Sequence, residues 1–521
     1  MNNSKKKLGL KMFAVIWLVF IFGSAVINYG LFADSVKSNY NDGFNFKGFV
    51  EQVKTNYTSE LKMKSVYINI NGLFARLTGR TVYNKNILLD NGMLANANMN
   101  EIDMEPLADE IVRFNEYLTD KNIKYLYIQA PYKLDMENEL LPTGVENYTN
   151  INADSIVSRL RKNNVDVLDL REFMAADIES IEKYFYKTDH HWNNNAAFLG
   201  FQKTVEKINS WYTTNKIESE FLNEENWNKE VYENIFLGSQ GKRVGKFFAG
   251  TDDLTYYSPK AETNMALYNN KYYKYFSGNF DTANKREEKL VKNYFSCNQY
   301  TVYIGGDYPL VKHFNADAAS DLKVLIIKDS YTLPYQAFMS TVFSRIDVID
   351  PRHLKSHTIS EYIECYKPDI VIEMINPTVF NETEYFDFGI DNCKVFGTLE
   401  PKTIKKTDAL KIQAKGKKTY VSFKSDLSPK TKYTFKFSDI KFSEAENECM
   451  TVALYNAKSK KIVDSHIFDM KYSDLPDSKE WTFITPESSK GNYKLLVFAG
   501  EYKKIKNNKL TVIDAELIQY K

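Results

Sequence analysis

The sequence predicts an α/β protein that carries one apolar segment before the α/β region and an all-β region after it. A strand-helix-strand-helix-strand pattern spans residues 324–375 and is typical of a parallel sheet. Short alternating strands follow Pro401, and an uncharged run occupies residues 12–27. At 521 residues the chain is too long for one ordinary domain, so several are expected.

The first element is the apolar run, which four lysines within residues 5–11 precede. Its length is near the lower limit for crossing a bilayer, and the lysines place the N-terminus in the cytoplasm. We therefore predict a cytoplasmic tail (1–11), a transmembrane anchor (12–28) and an extracellular bulk, which makes a single-pass protein of the cell membrane. A cleaved signal peptide is the competing interpretation, because Gly23-Ser24-Ala25 resembles a cleavage site; its place inside the apolar run favours the anchor.

Residues 29–74 are polar and aromatic and predict a juxtamembrane connector. The α/β domain is predicted over residues 75–400, where helical stripes alternate with apolar strands such as 124–130 and 165–170. Residues 210–300 are rich in tyrosine and interrupted by glycine, which predicts an irregular insert. That insert either shapes a substrate surface or serves as plain scaffold.

The clearest unit of the chain alternates three strands with two helices, which predicts right-handed crossovers in a parallel sheet. In chain order, these elements are 324–327, 334–343, 346–349, 360–366 and 369–375. Ser330, Arg352 and Asn376 each come shortly after a predicted strand. Because functional residues of such sheets gather beyond the carboxyl ends of the strands, these three are expected on one rim.

Residues 402–521 alternate apolar and polar positions in short strands, as in Tyr433, Phe435 and Phe437. Pro, Asn, Gly and Ser separate the strands at regular spacing, which predicts a β-sandwich.

Charge and cysteine content exclude two classes of protein. The net charge of +1 gives no general attraction to nucleic acid. The four cysteines (Cys297, Cys365, Cys393 and Cys449) show neither the spacing of a metal motif nor a disulfide framework.

An acid and two histidines stand together in Asp189-His190-His191-Trp192, although the chain has only six histidines. If the segment is extended, Asp189 and His191 share one face and His190 points away. The carboxylate would then fix the imidazole tautomer and leave the other ring nitrogen free to accept a proton. An exposed turn and a partial zinc site are the alternatives, although adjacent residues on opposite faces rarely serve one tetrahedral ion.

Ser330 follows four apolar residues and precedes a predicted helix. A serine on such a turn is exposed and near backbone N–H groups that can stabilise an oxyanion. The alternative is a helix N-cap, which is the commonest role of serine there. Ser330, His191 and Asp189 together supply the parts of a Ser-His-Asp acyl-transfer centre.

The chain resembles the DHHW family, relatives of the AlgX and AlgJ polysaccharide O-acetyltransferases, with an SGNH-hydrolase-like fold. The resemblance covers roughly residues 75–380 and is carried by these segments: Gly79–Tyr83, Ala130-Pro131, Asp189–Trp192, Gly305-Gly306, Lys328–Tyr331 and Asp350–Arg352. It implies Ser330 as nucleophile, His191 as base and Asp189 as the residue that orients the base. The Asp-x-His pair precedes the serine here, an order that is permuted relative to ordinary SGNH enzymes.

Four further residues are candidates for substrate or oxyanion contacts: Tyr331, Gly306, Arg352 and Asn376. Asp307 follows Gly306 where the resemblance leads us to expect asparagine, which leaves a side-chain oxyanion donor from this loop unassigned.

The resemblance implies an O-acetyltransferase that transfers acetyl through an acyl-serine to hydroxyls of a cell-surface or secreted polysaccharide. No cofactor and no metal are expected, and a membrane-bound O-acyltransferase is the expected partner that supplies the acetyl group. The sandwich is similar to carbohydrate-binding modules and is predicted to be a targeting module outside the active site. An acetyl esterase with the same triad and a non-catalytic glycan-binding scaffold are the alternatives.

Overall fold

The structure is a computed structural model and divides into two compact units, residues 1–80 with 243–248 and residues 81–242 with 249–521. It describes residues 3–41, 45–137, 139–214, 216–393, 396, 399–413, 420–444, 448–475, 477–487, 493–501 and 509–521.

The first unit contains three helices, α1 (Asn3–Asn41), α2 (Phe46–Glu60) and α3 (Lys64–Leu77). The Asn45 side chain caps α2 by accepting from the N–H groups of Lys47 and Gly48. Most of the segment predicted as a connector is therefore helical.

Among the described residues, no helix is both long enough and apolar enough to cross a membrane. The side chains of residues 1–14, 16, 17 and 20, which include much of the predicted tail and anchor, lie outside that description. The anchor accordingly stays a prediction.

The second unit begins with an α/β part. Its helices are α4 (Glu105–Thr119), α5 (Thr149–Lys162), α6 (Arg171–Met174), α7 (Ile178–Tyr184), α8 (Asn194–Asn209), α9 (Ser239–Val244), α10 (Lys246–Ala249), α11 (Phe280–Asn284), α12 (Thr332–Met339) and α13 (Ile359–Tyr366); α9 and α10 run into the segment 243–248 of the first unit. Its strands are β1 (Val82–Tyr83), β2 (Asn86–Leu88), β3 (Leu94–Ala95), β4 (Lys124–Gln129), β5 (Val167–Asp169), β6 (Trp227–Phe236), β7 (Asp252–Pro259), β8 (Met265–Asn269), β9 (Lys274–Gly278), β10 (Leu310–Asn315), β11 (Ser320–Lys328), β12 (Phe343–Ile349) and β13 (Ile370–Ile375).

Eight of these strands form the central sheet in the order β5-β4-β13-β11-β12-β10-β8-β9. The first five are parallel, while β10, β8 and β9 pair antiparallel. The expectation of a purely parallel sheet was therefore wrong, and so was that of an irregular insert over residues 210–300. All five residues of β8 are buried, so the strand shows no polar alternation that would reveal it in the sequence.

The sheet separates two hydrophobic cores. Leu126, Val324 and Ile326 face one core with helices α8 and α12, while Tyr125, Leu325 and Ile327 face the other with α4, α5 and α13. Successive residues of a strand point to opposite faces, so both faces need apolar cover. This explains the continuous apolar run Val324–Ile327 that precedes Ser330.

The C-terminal part of the second unit is all β. Its strands are β14 (Pro401–Gln413), β15 (Tyr420–Leu427), β16 (Lys432–Lys436), β17 (Asp439–Glu444), β18 (Cys449–Asn456), β19 (Lys461–Asp469), β20 (Glu480–Ile484), β21 (Tyr493–Phe498) and β22 (Lys509–Tyr520). They form two antiparallel sheets, β14-β22-β16-β20 with β17 on β22, and β15-β21-β18-β19. A core that includes Phe435, Val452 and Leu517 lies between them, as expected for a sandwich.

The sandwich packs directly against the antiparallel edge of the central sheet. Tyr268 and Phe314 of the sheet share an apolar cluster with Ile467 and Tyr472 of the sandwich. The Tyr268 hydroxyl lies 2.6 Å from Ser465 Oγ, at the centre of this contact. We call the contact between strands β8–β10 and β19 the seam.

Candidate active site

The parallel strands end in short side chains that turn the chain. Asp329, Asp350 and Asn376 each follow a strand and accept a hydrogen bond from the backbone N–H two residues further on, at 2.8, 3.2 and 2.9 Å. This arrangement is the Asx-turn, which stops the ladder and redirects the backbone. The polar residues predicted at strand ends are thereby placed at one edge of the sheet.

Ser330 lies on the turn between β11 and α12 and is partly exposed. Its neighbour Asp329 is buried and accepts from Asn376 N and Nδ2 at 2.7 and 2.6 Å. Burial raises the pKa of the Asp329 carboxyl, and these hydrogen bonds oppose that rise. Asn376, a predicted substrate or oxyanion candidate, thus supports the turn that presents the serine.

The His191 side chain connects Asp189 to Ser330. His191 Nε2 lies 2.7 Å from Ser330 Oγ, and Nδ1 forms a short hydrogen bond with Asp189 Oδ1. The same carboxylate oxygen accepts from the His191 backbone N–H at 3.1 Å. The three residues proposed from the two motifs are therefore joined in one hydrogen-bonded chain.

The Asp189 carboxylate is buried and held by backbone from another segment. Its Oδ2 accepts from Ser239 N, and a Cβ placed on Gly238 would lie 2.2 Å from Asp189 Cβ, so only glycine fits there. Burial alone would raise the pKa of this carboxyl, but His191, His190 and the Ser239 N–H hold it well below its usual range. Asp189 is thus ionised at neutral pH.

The expectation that His190 points away from His191 was wrong. The two imidazole rings lie 3.8 Å apart between centroids, and His190 Nδ1 is 2.8 Å from Ser239 Oγ. The reason is local, because the segment is not a strand but another Asx-type turn around Asp189. Such a turn brings consecutive side chains together instead of alternating them.

Asp189, His190 and His191 also meet a geometric condition for metal binding, since one ligand atom from each lies within 4.8 Å of the others. Both histidine Nδ1 atoms, however, already have hydrogen-bond partners in Ser239 and Asp189. Zinc ligation through either atom would require breaking that bond. The arrangement therefore favours an acid-histidine pair over a metal centre.

Two tyrosines complete the surroundings of His191. Tyr300 stacks on the imidazole, with centroids 3.8 Å apart and planes inclined by 14°. Tyr331 is fully buried, donates its hydroxyl to His190 O and accepts from Trp192 Nε1 at 2.9 Å through its own carbonyl. Nothing in the sequence marks Tyr300 among 36 tyrosines, so sequence reasoning missed it.

Charged residues occupy the remaining predicted positions at this edge. The Arg352 guanidinium binds Asp350 through two hydrogen bonds of 3.0 and 2.7 Å and lies 3.7 Å from Asp307. Asp307 forms a short ion pair with buried Lys328. Burial opposes ionisation of Asp307, but Lys328 and then Arg352 hold its pKa below the usual range. An ionised Asp307 only accepts hydrogen bonds, so it does not replace an asparagine donor.

Gly306, the last of the predicted candidates, directly precedes Asp307 and adopts a φ of +146°. Gly305 before it has a φ of +103°, and a Cβ there would lie 2.9 Å from the Tyr308 hydroxyl oxygen. Both backbones thus favour glycine, and together they direct the Asp307 carboxylate to Lys328.

Residues 88–233 match the family described as ALGX, the SGNH hydrolase-like domain of acetyltransferase AlgX. This match confirms the resemblance proposed from the motifs. It includes Asp189 and His191, while Ser330 lies beyond it. The AlgX-type match supports an acetyltransferase domain with an SGNH-like α/β fold.

Solved structures similar to this chain include three that represent the range of the matches. Bacillus cereus PatB1 with a sulfonyl adduct is 19% identical, with a TM-score of 0.48 over 58% of this chain and 97% of that chain. A DHHW family protein from Eubacterium siraeum is 19% identical, with a TM-score of 0.45 over 58% and 95%. Pseudomonas aeruginosa AlgX is 11% identical, with a TM-score of 0.35 over 85% and 96%. No curated protein sequence matches the chain.

Proposed function

We propose that this protein is an O-acetyltransferase that carries an acetyl group on Ser330 and transfers it to a polysaccharide hydroxyl. The single observation behind this proposal is the hydrogen-bonded chain from Ser330 through His191 to Asp189. An activated serine needs a base within hydrogen-bond reach and a third group that orients the base. Both conditions are supported by the 2.7 Å contact and by the ionised, buried Asp189.

In the first half-reaction, Ser330 Oγ attacks the acetyl carbonyl while His191 Nε2 takes the hydroxyl proton. The tetrahedral intermediate collapses to acetyl-serine, and the donor's leaving oxygen receives the proton from His191. In the second half-reaction, His191 removes the proton from a sugar hydroxyl, whose oxygen attacks acetyl-serine. Ser330 regains its proton when the acetylated sugar leaves.

The oxyanion of each tetrahedral intermediate requires donors near Ser330. Because Asp307 is an acceptor, we assign this role to backbone N–H groups of the Ser330 turn and of the Gly306 loop. Arg352, half-buried and paired with two carboxylates, is better placed to support the loop than to bind the acetyl group.

Transfer from the proposed donor requires a location outside the cytoplasm and a membrane-bound O-acyltransferase as partner. The lysines of residues 5–11 support that orientation. Protease added to intact cells should digest residues from about 30 onward, and protection of the α/β domain would contradict the orientation.

Hydrolysis of acetyl esters is the second candidate, because Ser330 is partly exposed and water can reach it. Purified protein incubated with nitrophenyl acetate should acquire one acetyl group on Ser330, detected by mass spectrometry of the peptide. Addition of glycan oligosaccharides should speed the loss of that acetyl group and yield acetylated sugar. Loss of acetyl-serine to water alone, unaffected by any glycan acceptor, would favour the esterase.

A further inference from the structure

We infer that Tyr300 is a positioning residue for His191, which stabilises the imidazolium that forms whenever Ser330 gives up its proton. This inference rests on the proposed function, because it assigns His191 as the base.

The geometry places the π-face of Tyr300 directly on the imidazole. The ring centroids are 3.8 Å apart and the planes are inclined by only 14°, which is a stacked arrangement. A cation over an aromatic face is attracted by the ring quadrupole, and more strongly where water is excluded. Because Tyr300 is 1% exposed, the contact lies in such an environment.

The Tyr300 hydroxyl fixes the ring to the nucleophile's own turn. It donates to Ser330 O at 3.1 Å and to Tyr331 O at 3.2 Å. Burial raises the pKa of Tyr300 well above its ordinary value, so the phenol stays neutral and keeps its proton for these bonds. One side chain thereby couples the orientation of the base to the position of the nucleophile.

Other charged and titratable groups also face His191. Asp189 and His190 come from its own segment, Tyr331 from the turn after β11, and Asp307 from the loop before β10. None of these is altered when Tyr300 is replaced, so a change in the pH profile of such a variant reports the ring itself.

The experiment follows the rate at which phenylmethylsulfonyl fluoride labels Ser330 as a function of pH. In that reaction the Ser330 Oγ–S bond forms, the S–F bond breaks, fluoride leaves, and His191 takes the serine proton. Tyr300→Leu should move the midpoint of the rate profile to lower pH by roughly 0.5 to 1 unit, because the protonated imidazole loses its π-face. Tyr300→Phe keeps the stack and should keep the wild-type midpoint, with a few-fold lower plateau.

Tyr186→Phe is the matched control, because Tyr186 meets Tyr300 edge-on at 6.4 Å and is one ring removed from His191. It should leave the midpoint unchanged. If Tyr300→Leu does not fold, Tyr300→Met provides a flexible side chain without a π-face and should show the same shift. A wild-type midpoint in the folded Leu or Met variant would overturn the inference. Wild-type protein whose Ser330 is not labelled at any pH would instead overturn the proposed function.

Discussion

His191 Nε2 lies 2.7 Å from Ser330 Oγ although 139 positions separate the two residues in the sequence. The contact joins a turn that follows α7 to a turn that ends the central strand β11. Neither turn contains both the base and the nucleophile, so the pair exists only in the folded chain. The predictions below test what this pair and its surroundings do.

Ser330→Ala, His191→Ala and Asp189→Ala should each lower turnover of nitrophenyl acetate by about 10³-fold or more. Because triad members act as one unit, the double variants should lose little more than the single ones. Thermal melts should show that each variant remains folded. Near-normal turnover by Ser330→Ala would show that another group is the nucleophile.

Turnover should rise with pH along one acidic limb, because His191 must be neutral to accept the serine proton. Asp189 does not contribute to this limb, since its pKa lies well below the usual range and the carboxylate is ionised throughout. Steady-state rates between pH 5 and 8 check this. A flat profile under conditions where acylation limits the rate would argue against His191 as base.

His190→Ala should retain most of the activity, whereas His191→Ala should not, although both rings lie close to Asp189. Treatment with a chelator should likewise leave acetyl turnover intact, because both Nδ1 atoms serve hydrogen bonds. A metal centre predicts the opposite pattern, with both histidine variants and the chelator abolishing activity and added zinc restoring it.

Asn376→Ala should destabilise the Ser330 turn, because it leaves the buried Asp329 carboxyl without the Nδ2 donor at 2.6 Å. Loss of a hydrogen bond to a buried carboxyl costs about 1–3 kcal/mol. We expect a lower melting temperature together with about tenfold lower kcat and little change in KM. Thr378→Ala is the control on the same turn, since its hydroxyl contacts Asn376 and not Asp329.

Removal of residues 402–521 should lower the melting temperature and reduce turnover of both a small acetyl ester and a polymeric glycan. The reason is the seam, where deletion would expose Tyr268, Tyr275 and Phe314 of the central sheet. Ser465→Ala is the matched control, because it removes only the 2.6 Å contact with Tyr268 and should cost about 1 kcal/mol. Intact turnover of the small ester by the truncated protein would support the separable targeting module predicted from the sequence.

The sequence by itself determined the local parts of this protein. The run Val324–Ile327 is apolar throughout because both faces of the central strand are covered, and that pattern predicts a buried strand ending before Ser330. Alternation in Tyr433, Phe435 and Phe437 likewise predicts a sandwich strand, because one face of it meets the opposite sheet. The family motifs then connected Asp189, His191 and Ser330 before any geometry was known.

Tertiary structure alone decided how those parts meet. The antiparallel strands β8, β9 and β10 join the sheet through long-range pairing, which short and uniformly buried segments do not reveal. The stacking of Tyr300 on His191 and the fit of Gly238 against Asp189 depend on chain segments that are distant in sequence. Such contacts are set by packing in three dimensions, whereas a sequence pattern records only the periodicity of its own segment.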